Sequence, residues 1–195
     1  MKFSALSGDR AEEELTEGSS KGRGFLADVC HAWEEEARIA ESVGIRTVML
    51  RLGLVLGRGG GVLARLVPVF RAGLGGPLGA GRQWVSWITI EDAVGAVRYA
   101  LQNRGLTGPV NAVAPNPVRN AEFSEALARA LGHRILASVP AFVLRAIFQE
   151  MVDEMLLASK RVRPRPALWC RLCFWRHDAI VAHIPQNRGE GVASP

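Results

Sequence analysis

Residues 44–61 read GIRTVMLRLGLVLGRGGG. Gly44 has the place of a residue that ends a helix in the C′ manner. Ile45 to Leu50 is a short run rich in β-branched side chains, the pattern of a strand buried in a parallel sheet, and Gly57 to Gly61 is a glycine loop. Working outward, Phe25, Val29, Trp33 and Ala37 recur at four-residue steps before Gly44 and predict a helix. After the loop, Leu63, Leu66, Phe70 and Leu74 mark one face of a helix over Val62 to Leu74, which Pro68 is expected to kink or divide. A buried strand flanked by helices on both sides in sequence is an α/β arrangement.

The rest of the chain repeats it. Phe3 to Leu6 reads as the end of a strand, and Gly8 to Lys21 as a polar loop. Gln83 to Ile88 reads as a strand. Thr89 with Asp92 three residues on resembles a capping box, opening a helix with Val94, Val97 and Leu101 inward. Val110 to Val113 is the next strand, and Asn120 is the expected N-cap of a helix over Ala121 to Leu131 that buries Phe123, Leu127 and Ala130 and stops at Gly132. Two further helices are expected, over Ala141 to Phe148 and roughly Met151 to Val162. Strands alternating with helices, then helices alone, predict a parallel α/β sheet followed by a small helical piece.

Composition narrows the class. Of 195 residues, 48% are hydrophobic and 22% charged, which is the balance of a folded soluble domain. The net charge of +5 is spread along the chain, and its densest cluster, Lys160, Arg161, Arg163, Arg165 and Arg171, is interrupted by prolines, so a solvated basic surface is expected rather than a nucleic-acid partner. No apolar run approaches the ~20 residues of a membrane span, and three cysteines do not make a disulfide framework. A cytoplasmic protein is expected, or one of the mitochondrial matrix if a targeting segment is missing.

Several motifs are decoys. Gly22-Arg-Gly24-Phe-Leu-Ala27 matches a dinucleotide fingerprint formally, but a loop rather than a buried strand leads into it. Cys170 and Cys173 with His177 and His183 have the wrong spacing for a Cys2His2 zinc site, so no metal is expected. Cys30 reads as a core residue. The acidic runs Glu12 to Glu14 and Glu34 to Glu36 read as solvated faces rather than acid/base pairs, since a dyad needs burial. No G-x-S-x-G elbow and no Walker A loop occur.

Taken in order, Ser4–Ala5, LTEGSS (15–20), GFLADVCHAWEEEA (24–37), MLRLGLVLGRGGGVL (49–63), VFRAGLGGPLGAGRQWVSWITIEDAV (69–94) and GPVNAVAPNPVRNAEF (108–123) resemble the sugar-nucleotide-epimerase-like family of extended short-chain dehydrogenases/reductases. The resemblance implies the C-terminal part of a doubly wound, parallel Rossmann-type sheet plus a small mainly helical C-terminal region. It implies a partial NAD(P)-binding-like region over residues 1–108 and a family-specific domain over 109–174, while the tail over 175–195 is unassigned and expected to lack fixed structure. It also implies that the glycine-rich pyrophosphate turn belongs to a segment preceding this sequence.

The family resemblance assigns roles residue by residue. Ser4 stands where the active-site serine stands. Arg51, Gly53, Leu54 and Val55 fall along the nicotinamide half of an NADP or NAD cofactor, and Arg82, Gln83 and Trp87 on the side of a small-molecule, nucleotide-sugar-like substrate. The Tyr-x-x-x-Lys pair is replaced by Phe25 and Val29, which offer neither a proton nor a charge. Tyr99, the only tyrosine, lies on another helix with Asn103 four residues on. Asp28, His31 and a water held by Ser4 are the alternative proton donors within reach. The resemblance leaves two functions open: an NAD(P)-dependent oxidoreductase or epimerase relative, and a catalytically silent NADP(H)-sensing or scaffold protein. It implies that this chain holds the cofactor loosely and that it self-associates, as a homodimer or more broadly.

Overall fold

The computed structural model describes residues 2–3, 9–57, 60–135, 137–139 and 158–165. Three strands form the central sheet: β1 (Lys2–Phe3), β3 (Val48–Leu52) and β7 (Gly108–Ala112), in the order β1-β3-β7 and all parallel. Parallel neighbours require long crossovers. Helix α1 (Phe25–Ser42) lies between β1 and β3 in the chain, and α2 (Gly61–Arg71) and α3 (Ile90–Gln102) between β3 and β7. The buried run sits three residues later than expected from Ile45, which is exposed. The boundary between residues 108 and 109 falls inside β7, which pairs with β3 along its length.

At Gly53 the chain leaves the central sheet, and β4 (Leu54–Leu56) pairs in parallel with β6 (Trp87–Thr89). Glycine is needed there for space, since a Cβ would stand 2.7 Å from the Ser86 carbonyl oxygen and 3.0 Å from Val113 Cγ1. The strand expected over Gln83 to Ile88 is divided at Ser86 into β5 (Trp84–Val85) and β6, and β5 pairs antiparallel with β8 (Val118–Arg119). Ser86 causes the break with its side chain: Oγ donates to the Lys160 carbonyl at 2.6 Å and accepts from Val162 N at 2.9 Å.

The core has two main parts. Leu56, Leu63, Val67, Phe70, Trp87, Phe123 and Leu127 join β4, β6, α2 and α4 (Asn120–Ala130), while Leu52, Ile88, Ala93, Ala96, Val110 and Ala112 join α3 to the strands. Each fully buried leucine contributes roughly 1.5–3 kcal/mol relative to exposure. Helix α2 runs unbroken through Pro68. The proline is on the exposed side, where water can hydrate the carbonyl that loses its amide partner. Leu74 lies beyond the helix and is exposed. Helix α3 is rotated from its expected face: Asp92, Ala93, Ala96 and Ala100 are buried, while Val94 is 52% exposed and Val97 and Leu101 are also exposed. Small residues let this helix lie close to the strands, which large side chains at the seam would prevent.

Helix ends follow the expected chemistry with one correction. Gly44 has φ +83° just past α1, and Gly132 has φ +73° just past α4. Thr89 Oγ1 accepts from Asp92 N at 3.1 Å and donates to Asp92 Oδ2 at 2.7 Å. The N-cap of α4 is Arg119 rather than Asn120: Glu122 reaches back to Arg119 N at 3.0 Å, while Asn120 Oδ1 accepts from Leu78 N at 2.7 Å.

Residues 158–165 correct the helix expected to end at Val162. They are extended, and β9 (Arg161–Val162) pairs in parallel with β2 (Glu14–Leu15), a strand inside the segment read as a loop. Arg163 precedes Pro164, which disfavours helical geometry, and Arg163 N donates instead to the Leu15 carbonyl at 2.8 Å. Leu15, Val113 and Val162 form a small buried cluster under this pairing. The helix over Ala141 to Phe148, the cysteine and histidine group from Cys170 to His183 and the tail over 175–195 lie outside the described residues.

Candidate ligand-binding site

Ligands of doubly wound sheets bind beyond the carboxyl ends of the strands. At that end of β3, Arg51 is buried and gripped by Glu34 of α1: Nε donates to Oε1 at 2.8 Å and Nη2 to Oε2 at 2.7 Å. Its Nη1 donates to the Glu17 carbonyl at 3.2 Å. The Glu17 carboxylate in turn accepts from Asn111 N at 3.0 Å and Arg165 N at 3.1 Å through Oε1. Glu34 is 1% exposed, so the acidic run 34–36 is not wholly a solvated face. A polar network therefore ties α1, β3, β7 and the 158–165 segment together.

Four residues were assigned to the cofactor by resemblance, and their polar groups are engaged within the fold. Arg51 is held as described. Gly53 N donates to the Ala112 carbonyl at 3.1 Å and Leu54 N to the Ser86 carbonyl at 2.8 Å, while the side chains of Leu54 and Val55 pack against the two core clusters. Leu54 and Val55 offer only apolar side chains, and these pack against the core. The four residues do not supply a pyrophosphate anchor, which needs converging N–H donors or a helix N-terminus. Ser4 lies outside the described residues.

Of the residues that the resemblance assigns to the substrate, Arg82 is exposed, and its carbonyl accepts from Arg119 Nη1. Gln83 braces a loop: its Nε2 donates to the Leu78 carbonyl at 3.2 Å and its own carbonyl accepts from Asn120 N at 2.9 Å. Trp87 is 5% exposed inside the core, with Nε1 donating to the Asn116 carbonyl at 3.2 Å. The adjacent Trp84, which carried no assignment, is the aromatic at the surface.

Trp84 organises a cluster that sequence reasoning missed. The Arg119 guanidinium stacks 3.9 Å from its ring centroid, and the Arg161 guanidinium lies 5.0 Å away. Arg119 Nη1 and Nη2 donate to the two oxygens of Glu12, each at 2.8 Å, and Trp84 Nε1 donates to Glu12 Oε2 at 3.0 Å. These contacts, Arg119 first and Trp84 second, hold the Glu12 carboxyl down at about 2 from the usual 4.5. Arg161 and Arg163 both approach Glu14, at 3.5 and 3.0 Å, the latter without hydrogen-bond alignment. The basic run 160–165 and the acidic run 12–17 thus face each other, so neither is simply a solvated surface. The sequence signal was opposite charge in two tracts, but nothing local joins residues almost 150 positions apart.

Phe25, which replaces the tyrosine, is 72% exposed at the start of α1, and Val29 is half-buried one turn on. Asp28 Oδ1 is held by Lys21 Nζ at 2.7 Å, and His31 Nδ1 lies 3.9 Å from Glu35 Oε1. Tyr99 packs with the α3 core, and its hydroxyl accepts from Asn103 Nδ2 at 2.7 Å. Cys30 is buried beside Leu26, as expected of a core residue.

No protein-family model matches the chain. An epimerase family protein of Mycobacterium tuberculosis is 43% identical over 157 residues, covering 80% of this chain and 52% of that protein. The solved structure of human epimerase family protein SDR39U1 (isoform 2) with NADPH superposes with a TM-score of 0.86 at 34% identity, over 95% of this chain and 64% of the human one. This chain belongs to the epimerase family. A nucleoside-diphosphate sugar epimerase from Corynebacterium glutamicum also superposes, with a TM-score of 0.71 at 33% identity, over 94% of this chain and 36% of the other. The epimerase-family fold is the Rossmann-type α/β class expected from the sequence. The chain spans about half the length of the curated relatives it matches. Among the described residues no helix is long and apolar enough to cross a membrane.

Proposed function

We propose that this chain is the later-sheet and ligand-side part of an NAD(P)-dependent epimerase- or reductase-like protein that works without a Tyr-x-x-x-Lys pair. The observation that carries this is the superposition, over nearly the whole chain, on a human relative solved with NADPH. In this reading Arg51, Gly53, Leu54 and Val55 back the nicotinamide side of the cofactor, which supplies hydride chemistry when bound. Arg82 meets the substrate, Gln83 fixes the loop that carries Arg82, and Trp87 supports them from the core. Ser4 hydrogen-bonds a substrate carbonyl, and the proton comes from Asp28, His31 or water, since Phe25 has none to give. The substrate is a small molecule of the nucleotide-sugar kind, and the location is the cytoplasm. Residues 1–108 form the Rossmann-type part and 109–174 the family-specific part.

A complete chimera carrying a relative's glycine-rich half tests this by NADPH oxidation against carbonyl substrates. Turnover that falls with Asp28→Asn or His31→Asn supports the proton route. Turnover unaffected by both substitutions rules out Asp28 and His31 and leaves water as the donor.

The second reading, a silent NADP(H) sensor or scaffold, is favoured by Phe25 and Val29. It predicts cofactor binding by the same chimera with no turnover until Phe25→Tyr and Val29→Lys are installed together.

A further inference from the structure

Glu12 sits in a cradle built without it. Two parallel N–H bonds from Arg119 and a third from the Trp84 indole converge on its carboxylate, the arrangement by which proteins recognise a carboxylate or phosphate. The donors have other supports. Arg119 stacks on Trp84, its side chain also donates to the Arg82 carbonyl, and its backbone N–H is capped by Glu122. Trp84 is fixed by the β5–β8 pairing and by Ser159 Oγ, which accepts from Trp84 N at 3.1 Å.

Glu12, in contrast, belongs to a surface segment, and its side chain is 68% exposed. Arg161 adds a second cation over the indole, and its buried Nε finds no hydrogen-bond partner among the described residues. With Glu12 swung away, three guanidinium groups (Arg119, Arg161, Arg163) would face two carboxylates (Glu14, Glu122), leaving a positive cradle beside an aromatic face.

We propose that Arg119, the Trp84 indole N–H and Arg161 form an anion subsite for a carboxylate or phosphate group of the small-molecule ligand, and that Glu12 occupies it as an internal stand-in which the ligand displaces. The pair is exposed, so solvent screens it and a ligand anion can compete for the same donors. The tethered carboxylate still competes at an effective concentration of roughly millimolar, so a ligand needs contacts beyond the anion, and the exposed Arg82, two residues before Trp84, is the candidate to make one. The subsite depends on the proposed function only in lying on the ligand side, and it needs no cofactor.

The test follows the Trp84 indole N–H resonance, assigned with Trp84→Phe, while inorganic pyrophosphate or succinate is added at constant ionic strength. A saturable shift with pyrophosphate identifies a phosphate site, and one with succinate a carboxylate site. Glu12→Gln, at an exposed position, should tighten binding about tenfold by removing the competitor. Arg119→Lys, which keeps the charge but loses the fork, should abolish saturation. Equal affinity in the unmodified chain, Glu12→Gln and Arg119→Lys would overturn the proposal, as would the absence of a saturable shift in Glu12→Gln with either anion. If NADPH fails to bind the chimera but these shifts appear, the proposed function fails and the anion subsite stands.

Discussion

Arg51 on β3 grips Glu34 on α1 through two parallel hydrogen bonds of 2.8 and 2.7 Å, with both side chains buried. This bond fixes the helix that carries Phe25 and Val29 against the sheet, and it spends the one charge on β3 that could have met a cofactor. Buried pairs are costly to break because the survivor stays desolvated. Glu34→Ala should therefore destabilise the chain by about 3–5 kcal/mol, whereas the joint change Glu34→Leu with Arg51→Met should cost far less. Chemical denaturation of the two variants checks this, and equal losses would mean that the pair is not buried as described.

The Glu12 cradle should respond to acid. A carboxylate held below its ordinary pKa stabilises its contacts fully above about 4.5, and this contribution fades as pH falls from there towards about 2. The Trp84 indole signal should change with a midpoint near the lower end of that window, and Glu12→Gln should flatten the response. A midpoint near 4.5 would show that Arg119 does not hold the carboxylate.

Helix α3 supplies a test of orientation. Val94→Ser, on the exposed side, should change stability by no more than about 0.5 kcal/mol, while Ala96→Leu should cost about 1–3 kcal/mol by overpacking the seam with the strands. Thr89→Ala should cost about 1 kcal/mol by removing the N-cap. Thermal unfolding ranks the three, and a severe loss at Val94 with tolerance at Ala96 would return the helix to the face first expected.

The α1 surface points to association. Phe25, Trp33 and Ile39 on α1 and Val43 at its C-cap are exposed apolar side chains, enough to favour contact with a second copy. The chain should self-associate in scattering-coupled chromatography, and Trp33→Ser with Val43→Ser should shift it towards monomer. A monomer at high concentration before any substitution would refute this.

Fold class was legible in the sequence because buried parallel strands and helix stops are local: the run before Leu50, Gly44, Gly132 and the Thr89–Asp92 pair each carry their own signal. Which face of α3 is buried was not legible from bulk, since the seam is made of Ala93, Ala96 and Ala100. The candidate site was read less well. Resemblance supplied Arg51, Arg82 and Gln83, but Glu34 and Glu17 looked like solvent charges until their partners were placed. The Glu12–Arg119–Trp84 cradle joins residues about a hundred positions apart, and no periodicity reports such a contact.

The most direct test of the central claim is calorimetric titration of NADPH into the purified chain. Arg51 and the amides of Gly53 and Leu54 are committed within the fold, so the residues proposed to line the cofactor bring no pyrophosphate anchor. Anchors of that kind, N–H donors at a helix N-terminus, account for several kcal/mol of dinucleotide binding, so the dissociation constant should be about millimolar or weaker. Low-micromolar binding at a stoichiometry of about one would contradict the account.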